Sequence, residues 1–286
     1  MTKAEESLSQ AQEICTRIGD DQGRANALNG LGDLYRSQTK YSEAEQSFVQ
    51  AQEIYARIGN DQGRANALQR LGDLYRSQSK YSEAEECLTQ AEQIYTRLVI
   101  DHGRANALSG LGGLDDMQNK YSEAEESFVQ ARQIYTHTGH DLGLARALLG
   151  LGDLYRSQTK YSEAKESLTQ AQQIFTRIGN EPGRANALSR LGRLYEHQTK
   201  YSEAEESFVQ AEQIYNRIGH NWGRADTLRR LGHLHRAQGR NVKAAAFYGE
   251  ARDLYTQIGR LDDQEQTSHQ VVDANGPSPR PLFSDR

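Results

Sequence analysis

The same forty residues recur along most of this 286-residue chain. The stretch Leu31-Gly32-Asp33-Leu34-Tyr35-Arg36-Ser37-Gln38 aligns without a gap with the stretches at 71–78, 151–158 and 191–198. A period of this length marks a repeat architecture. One unit is too small to bury its own apolar face and must stack on its neighbours. Function in such proteins is expected on an extended surface shared by successive units rather than in a pocket of catalytic groups.

Within one repeat, Ala65, Leu68, Leu71, Leu74 and Tyr75 recur at helical spacing. Asn60 or Asp61 is placed to cap that helix. A break follows at Ser79-Lys80-Tyr81, and Ser82 with Glu85 reads as a capping box that opens a second helix. The box recurs as Ser42/Glu45, Ser122/Glu125 and Ser202/Glu205; Lys165 replaces the Glu in the fourth unit, where a weaker helix start is expected. The second helix buries Ala44, Phe48, Ala51, Ile54, Tyr55 and Ile58, and Gly59 stops it. No stretch alternates as a strand does. The expected fold is therefore all-α: an α-α superhelix, a solenoid of antiparallel helix pairs spanning 1–260. A lone helix at about 3–18 precedes six pairs that start near residues 22, 62, 102, 142, 182 and 222. A degenerate capping helix is expected at 261–274 and a disordered Pro-rich tail at 275–286. The chain opens in mid-unit, as a fragment or trimmed gene product would.

Gly32 and its equivalents lie inside the first helix, where Gly costs about 1 kcal/mol against Ala. Close approach of the paired helix is the expected reason. Gly23 and its equivalents sit in the first turn, where a neighbouring helix end would crowd the backbone.

Composition narrows the function. Net charge is −5 with both signs interspersed, which argues against wholesale binding of nucleic acid. No apolar run approaches membrane-spanning length, and the N-terminus lacks a signal-peptide core. The two cysteines, Cys15 and Cys87, occupy different phases of the repeat, so a disulfide is not expected and a reducing, cytoplasmic setting is. No Gly-Lys-Ser/Thr phosphate loop occurs. His197, His233 and His235 form the main histidine cluster, but no Cys or carboxylate spacing completes a metal site. No catalytic residue, metal or cofactor is expected, and the chain reads as a non-enzyme.

Leu31-Gly32, Tyr35, Ala44, Phe48 and Ala51 together resemble the skeleton of the tetratricopeptide repeat (TPR). The match runs over roughly residues 3–258. Its long unit, with Leu-Tyr-Arg-Ser-Gln-Thr-Lys-Tyr-Ser-Glu-Ala, resembles kinesin light chains and nephrocystin-3-like proteins, and the Leu-Gly-rich repeats of LGN/Pins polarity adaptors. Two departures separate it from their ligands. Where LGN-type repeats carry Arg, this chain has Asn26, Asn66, Asn106 and Asn186, with Arg only at Arg146. Where the light chains carry an Asn pair, it reads Asn29-Gly30 or Gln69-Arg70. Near-identical TPR units also resemble the sensor regions of NTPase-coupled (NLR/STAND-like) receptors.

The resemblance implies that first helices line a concave groove, a scaffold or adaptor surface for an extended protein segment. A helical wheel turns Leu28, Leu31 and Tyr35 one way and Asn26, Asn29, Gly30, Asp33 and Arg36 the other. The candidate groove continues with Asn66, Arg70, Asp73 and Arg76, then Asn106, Arg146, Asp153 and Arg156. Its amides suit a partner's backbone. It becomes basic at Asn186, Arg190, Arg193, Arg229, Arg230 and Arg236, which predicts an acidic peptide as partner. The alternative is an ordinary solvated helix face, with Asp33 and Arg36 as an i,i+3 pair. Arg24 and its equivalents fall on the apolar side at the helix start, and read as structural.

The third unit breaks the pattern. Leu98-Val99-Ile100 replaces Ile58-Gly59-Asn60, and Asp115 takes a core Tyr position. Such a buried carboxylate is costly and its pKa should rise. Amide exchange is expected to be fastest, among interior repeats, at residues 98–118. Uniform protection in a hydrogen-exchange experiment would contradict this.

Overall fold

The structure of the protein, a computed structural model, describes residues 2–260 together with 263, 264, 267 and 270. It divides into two compact units, Met1–Leu154 and Tyr155–Arg286. The first holds α1 (Lys3–Ile18), α2 (Asp21–Ser37), α3 (Tyr41–Arg57), α4 (Asp61–Ser77), α5 (Tyr81–Arg97), α6 (Asp101–Met117), α7 (Tyr121–Thr138) and most of α8 (Asp141–Ser157). The second holds α9 (Tyr161–Arg177), α10 (Glu181–His197), α11 (Tyr201–Arg217), α12 (Asn221–Ala237) and α13 (Asn241–Gln257). No strand occurs among the described residues. Residues 263, 264, 267 and 270 are helical. The rest of the capping helix expected at 261–274, and the tail at 275–286, lie outside the described residues.

Within each unit, a first-type helix packs on the helix before it and the helix after it. In the first unit α2 packs on α1 and α3, α4 on α3 and α5, and α6 on α5 and α7; in the second, α10 packs on α9 and α11, and α12 on α11 and α13. The small residues of the repeat make this possible. A Cβ on Gly32 would stand 2.4 Å from the Phe48 ring, and one on Gly63 would stand 2.4 Å from the Tyr55 ring. The first contact closes a pair and the second joins it to the next. Ala25, Leu28, Ala51, Ile54, Tyr55 and Ala67 accordingly form one cluster that links α2, α3 and α4. In the second unit Ala185, Leu188, Ala211, Ile214 and Tyr215 do the same for α10 and α11. Phe48 and Phe208 are fully buried, and truncating either to Ala would cost about 3–5 kcal/mol.

The expected capping boxes do not form. Helices α3, α5, α7, α9 and α11 start at the Tyr, with Lys40, Lys80, Lys120, Lys160 and Lys200 as N-caps and no side-chain cap. The turn ahead of them sets this. Thr39 adopts φ +61°, and the Lys40 N–H closes on the Tyr35 carbonyl at 2.9 Å, so the chain is already helical at Tyr41. Ser42 and Ser82 thus fall inside the first turn, two residues past the cap position. The glutamates are used between repeats instead. Glu45 accepts from the Tyr75 hydroxyl (3.0 Å) and from Lys80 Nζ (3.2 Å). Lys165, expected to weaken a helix start, instead places its ammonium over the Tyr195 ring at 5.8 Å. A capping box does form at the beginning of α1, between Thr2 and Glu5.

The third repeat keeps its stop at a cost. Helix α5 ends at Arg97 like its counterparts, with Val99 at φ +56° where Gly59 has φ +71°. A left-handed conformation costs an L-residue roughly 1–2 kcal/mol, more when it is β-branched. Asn60 accepts from the Gly63 N–H at 2.7 Å, whereas Ile100 offers no side-chain cap. Asp115 is 9% exposed and 3.8 Å from Lys120; burial pushes its carboxyl up and Lys120 opposes the shift. Val99 is 80% exposed, so Val99→Gly removes strain without removing packing. That variant is expected to gain about 1 kcal/mol of unfolding free energy, read as a higher urea midpoint at unchanged slope.

Candidate functional site

Each unit carries a cavity on the polar side of its first-type helices. The first-unit cavity, about 310 Å³, is lined by Arg36 of α2, Asn66, Gln69, Arg70 and Asp73 of α4, Tyr95 of α5, and His102 and Asn106 of α6. Five of the sequence-predicted residues meet there: Arg36, Asn66, Arg70, Asp73 and Asn106. Asn26, Asn29, Asp33 and Arg76 do not line it but hold its walls. Arg70 forms an ion pair with Asp33 one repeat back, and Arg76 lies 3.2 Å from Asp73. Burial raises the Asp73 carboxyl, opposed by Arg76, Arg36 and Arg70. Acid and base therefore neutralise each other along this wall.

The asparagines expected to read a partner's backbone are engaged within the protein. The hydroxyls of Tyr55, Tyr95 and Tyr135 donate to the carbonyl oxygens of Asn26 (2.6 Å), Asn66 (2.6 Å) and Asn106 (2.5 Å). Asn29 is buried and its amide N–H donates to Tyr55 at 3.4 Å, which corrects its placement on an open groove. Gly30 is corrected too: a Cβ there would stand 3.0 Å from Leu8 of α1, so it faces a helix contact. Arg146 is exposed and Asp153 half-buried on α8. The basic row at the helix starts is structural: Arg104 Nε pairs with Glu92 at 2.9 Å and Arg224 Nε with Glu212 at 2.6 Å.

In the second unit a cavity of about 230 Å³ is lined by Asn186, Ser189, Arg190 and Arg193 of α10, Tyr215 of α11, and Trp222, Asp226, Thr227 and Arg230 of α12. It gathers the predicted Asn186, Arg190, Arg193 and Arg230. Asn186 accepts from Arg190 Nε at 3.0 Å. Arg229 and Arg230 both hold Asp226, at 2.6 and 3.0 Å. Burial pushes Asp226 up, but the Arg230 and Arg229 guanidiniums more than offset it and keep the carboxyl below its usual range. Arg190 and Arg193 are each lowered to about 10, by burial first and then by neighbouring guanidiniums. Arg229 also bonds Tyr255, Arg236 bonds Tyr248, and Arg156 lies 3.1 Å from His197 Nε2, so these three sit beside the cavity rather than in it. Sequence reasoning passed over Trp222. Its signal was available: the only Trp of the chain stands where other repeats carry Gln22, Gln62 and His102.

The histidines are built into the packing. His233 shares a hydrogen bond with the Tyr248 hydroxyl at 3.1 Å; burial and the surrounding arginines lower it to about 4. His235, 1% exposed, stacks on Phe247 with ring centroids 5.2 Å apart and lies 3.5 Å from Glu205. Burial holds it below its ordinary value, partly opposed by Glu205. Among the described residues no three His, Cys, Asp or Glu side chains are placed to hold a metal. Cys15 and Cys87 are free thiols, and burial pushes Cys87 up to about 11. No described helix is long and apolar enough to cross a membrane.

The tetratricopeptide repeat family matches the chain in six overlapping segments, at residues 1–57, 44–97, 63–137, 103–177, 143–217 and 183–257. The chain belongs to the tetratricopeptide repeat family. Its fold is the all-α, α-α superhelix class of helix pairs, and TPR proteins are generally non-enzymatic protein-interaction modules. No curated protein matches it in sequence. Among solved structures it is similar to the kinesin light chain-like protein of Podosopora anserina with nearly identical TPR-like repeats, at 21% identity and TM-score 0.55, over 68% of this chain and 96% of that one. It is similar to a Rap protein complexed with Competence and Sporulation Factor, at 14% identity and TM-score 0.67, over 87% and 74% of the two chains. A third is the Signal Transduction ATPase with Numerous Domains (STAND) from Pyrococcus horikoshii, which has a TPR sensor: 13% identity, TM-score 0.67, 96% of this chain and 43% of that one. At these identities the likeness is one of fold.

Both lowered imidazoles give a pH test. The unfolded chain binds protons at ordinary His pKa, while His233 and His235 resist them when folded. Their contribution is complete above about pH 6.5 and is lost as pH falls toward the folded values. His235→Tyr restores the residue found at this phase as Tyr35 and Tyr75. It is expected to raise the thermal midpoint at pH 5 more than at pH 8, measured by calorimetry.

Proposed function

We propose that this protein is a non-enzymatic interaction scaffold that holds an extended, acidic protein segment against the polar side of its first-type helices. One observation carries the reading: every arginine of the cavity wall in the first unit has an ion pair, with Asp33 or Asp73, whereas in the second unit Arg193 has none among the described residues. Arg36, Arg70 and Arg76 pair with Asp33 and Asp73, whereas Arg193, Arg229 and Arg230 share Asp226 and Glu196, and Asp226 is taken by Arg229 and Arg230. Guanidiniums in excess of their carboxylates favour a partner that supplies them, through forked bonds. The Rap protein solved with Competence and Sporulation Factor is in keeping with ligand capture by such a fold. A cytoplasmic setting, with neither nucleic acid nor membrane as partner, completes the proposal.

The likeness to a STAND ATPase with a TPR sensor supports a second reading, in which the repeats control an NTPase encoded in the same gene. A phosphate-loop domain in frame with these repeats would favour it.

The scaffold reading is tested by binding to an array of 15-residue peptides graded in net charge. The wild-type protein should select acidic members. Arg193→Ala with Arg230→Ala should weaken that binding about tenfold or more and flatten its dependence on salt. Selection of basic or neutral peptides, or an unchanged profile in the double variant, would reject the acidic-groove assignment.

A further inference from the structure

The repeat register singles out one place where a built-in ion pair has been reversed. Position 33 of the register holds Asp33, Asp73 and Asp153, Gly at Gly113 and His at His233, but Arg at Arg193. The position that reaches back to it holds Arg70 in the first unit and both Arg190 and Arg230 in the second, and it is Arg230 that lies one repeat beyond Arg193. Arg70 finds Asp33. Arg230, in the same register, faces Arg193, whose proton burial and then the Arg230 charge make easier to lose. Arg230 turns to Asp226, which it shares with Arg229. Arg193 makes no ion pair among the described residues. The cavity therefore holds Arg190, Arg193 and Arg230 around the single lining carboxylate of Asp226.

A like-charge pair in a partly desolvated wall is unfavourable by itself and is relieved by a bound anion. Trp222, 48% exposed, lines the same cavity, where the other repeats carry Gln22, Gln62, His102, Leu142 and Pro182. A large ring left half in water beside Arg193, which has no ion pair among the described residues, presents two kinds of contact at once, one for charge and one for apolar or planar surface.

We propose that the second-unit cavity recognises a protein segment in which an acidic side chain stands next to an aromatic or apolar one, with the carboxylate between Arg193 and Arg230 and its neighbour on the Trp222 ring. This rests on the scaffold reading and adds the chemistry and the place of the ligand. A patch of charge alone would take any acidic stretch; Trp222 makes the cavity choose.

The test uses fluorescein-labelled, C-terminally amidated hexapeptides that present Glu-Phe, Gln-Phe or Glu-Ser in a Gly/Ser frame, titrated by polarisation against the full chain. Glu-Phe should bind about tenfold more tightly than either control. Unlabelled Glu-Phe peptide should also shift the emission of Trp222, the only Trp in the chain. Arg193→Asp restores the register, so it should weaken Glu-Phe binding about tenfold while raising the thermal midpoint, because Arg230 regains the carboxylate that Arg70 has. That opposite movement separates a lost site from a lost fold. Trp222→Gln, also a return to the register, should bring Glu-Phe down to the level of Glu-Ser. Equal binding of Glu-Phe and Gln-Phe, a silent Trp222, or unchanged affinity in either variant would overturn the proposal. If long acidic peptides are still selected in that case, the scaffold reading stands and only this site is wrong. Loss of both selections would remove both.

Discussion

Everything in this protein depends on an aromatic ring of one helix seated against a glycine of the next. No helix pair here can bury its own apolar face, so each must lie close enough to its neighbours to share one. Phe48 fills the space that a Cβ on Gly32 would occupy, and Tyr55 does so at Gly63. The six interior glycines each sacrifice about 1 kcal/mol of helix propensity. The return is close helix packing and fully buried rings, whose loss would cost several times as much. Because both contacts recur at the same phase, each repeat within a unit sets the position of the following one.

That regular spacing turns single residues into inter-repeat devices. Glu45 receives the Tyr75 hydroxyl and the Lys80 ammonium, and Asn26 receives the Tyr55 hydroxyl. Asp33 receives Arg70. Exposed pairs of this kind are individually weak, worth 0–1 kcal/mol. Their importance is positional, since they hold the polar wall in one arrangement. A substitution at one phase is therefore felt one repeat away. Asp to Arg at position 193 leaves Arg230, 37 residues later, without the partner that Arg70 has, and makes the second unit's wall basic.

Much of the fold was legible because it rests on local rules. Helical spacing of Leu68, Leu71 and Tyr75, the stop at Gly59 and the tight approach at Gly32 each follow from residue types a few positions apart. The third repeat shows the limit of such rules. Val99 stands where Gly is wanted, yet the helix stops at the same residue, because the stacked neighbours hold the turn at φ +56°. The candidate site was legible as a face but not as a set of contacts. Arg193 and Arg230 were named from their charge, while Asn29 and Gly30 were placed in the open, and Asn29 proved buried and Gly30 set against Leu8 of α1. Ser82 and Glu85 have the spacing of a capping box, and nothing local reveals that the turn before them starts the helix two residues early.

In a chain of near-identical units, a residue and its copy forty positions on have the same neighbours in sequence. The sequence by itself thus determined the helix pairs, their length, their stops and the face each would bury, all of which are decided within a few turns of backbone. It could not say whether Glu45 serves its own helix or Tyr75, or whether Asn26 faces a ligand or Tyr55. Those choices depend on which repeat's side chain arrives from 29 to 37 residues away. Only tertiary stacking brings such groups within bonding distance, and it decided which polar side chains are bonded inside the protein and that Arg193 has no ion pair among the described residues.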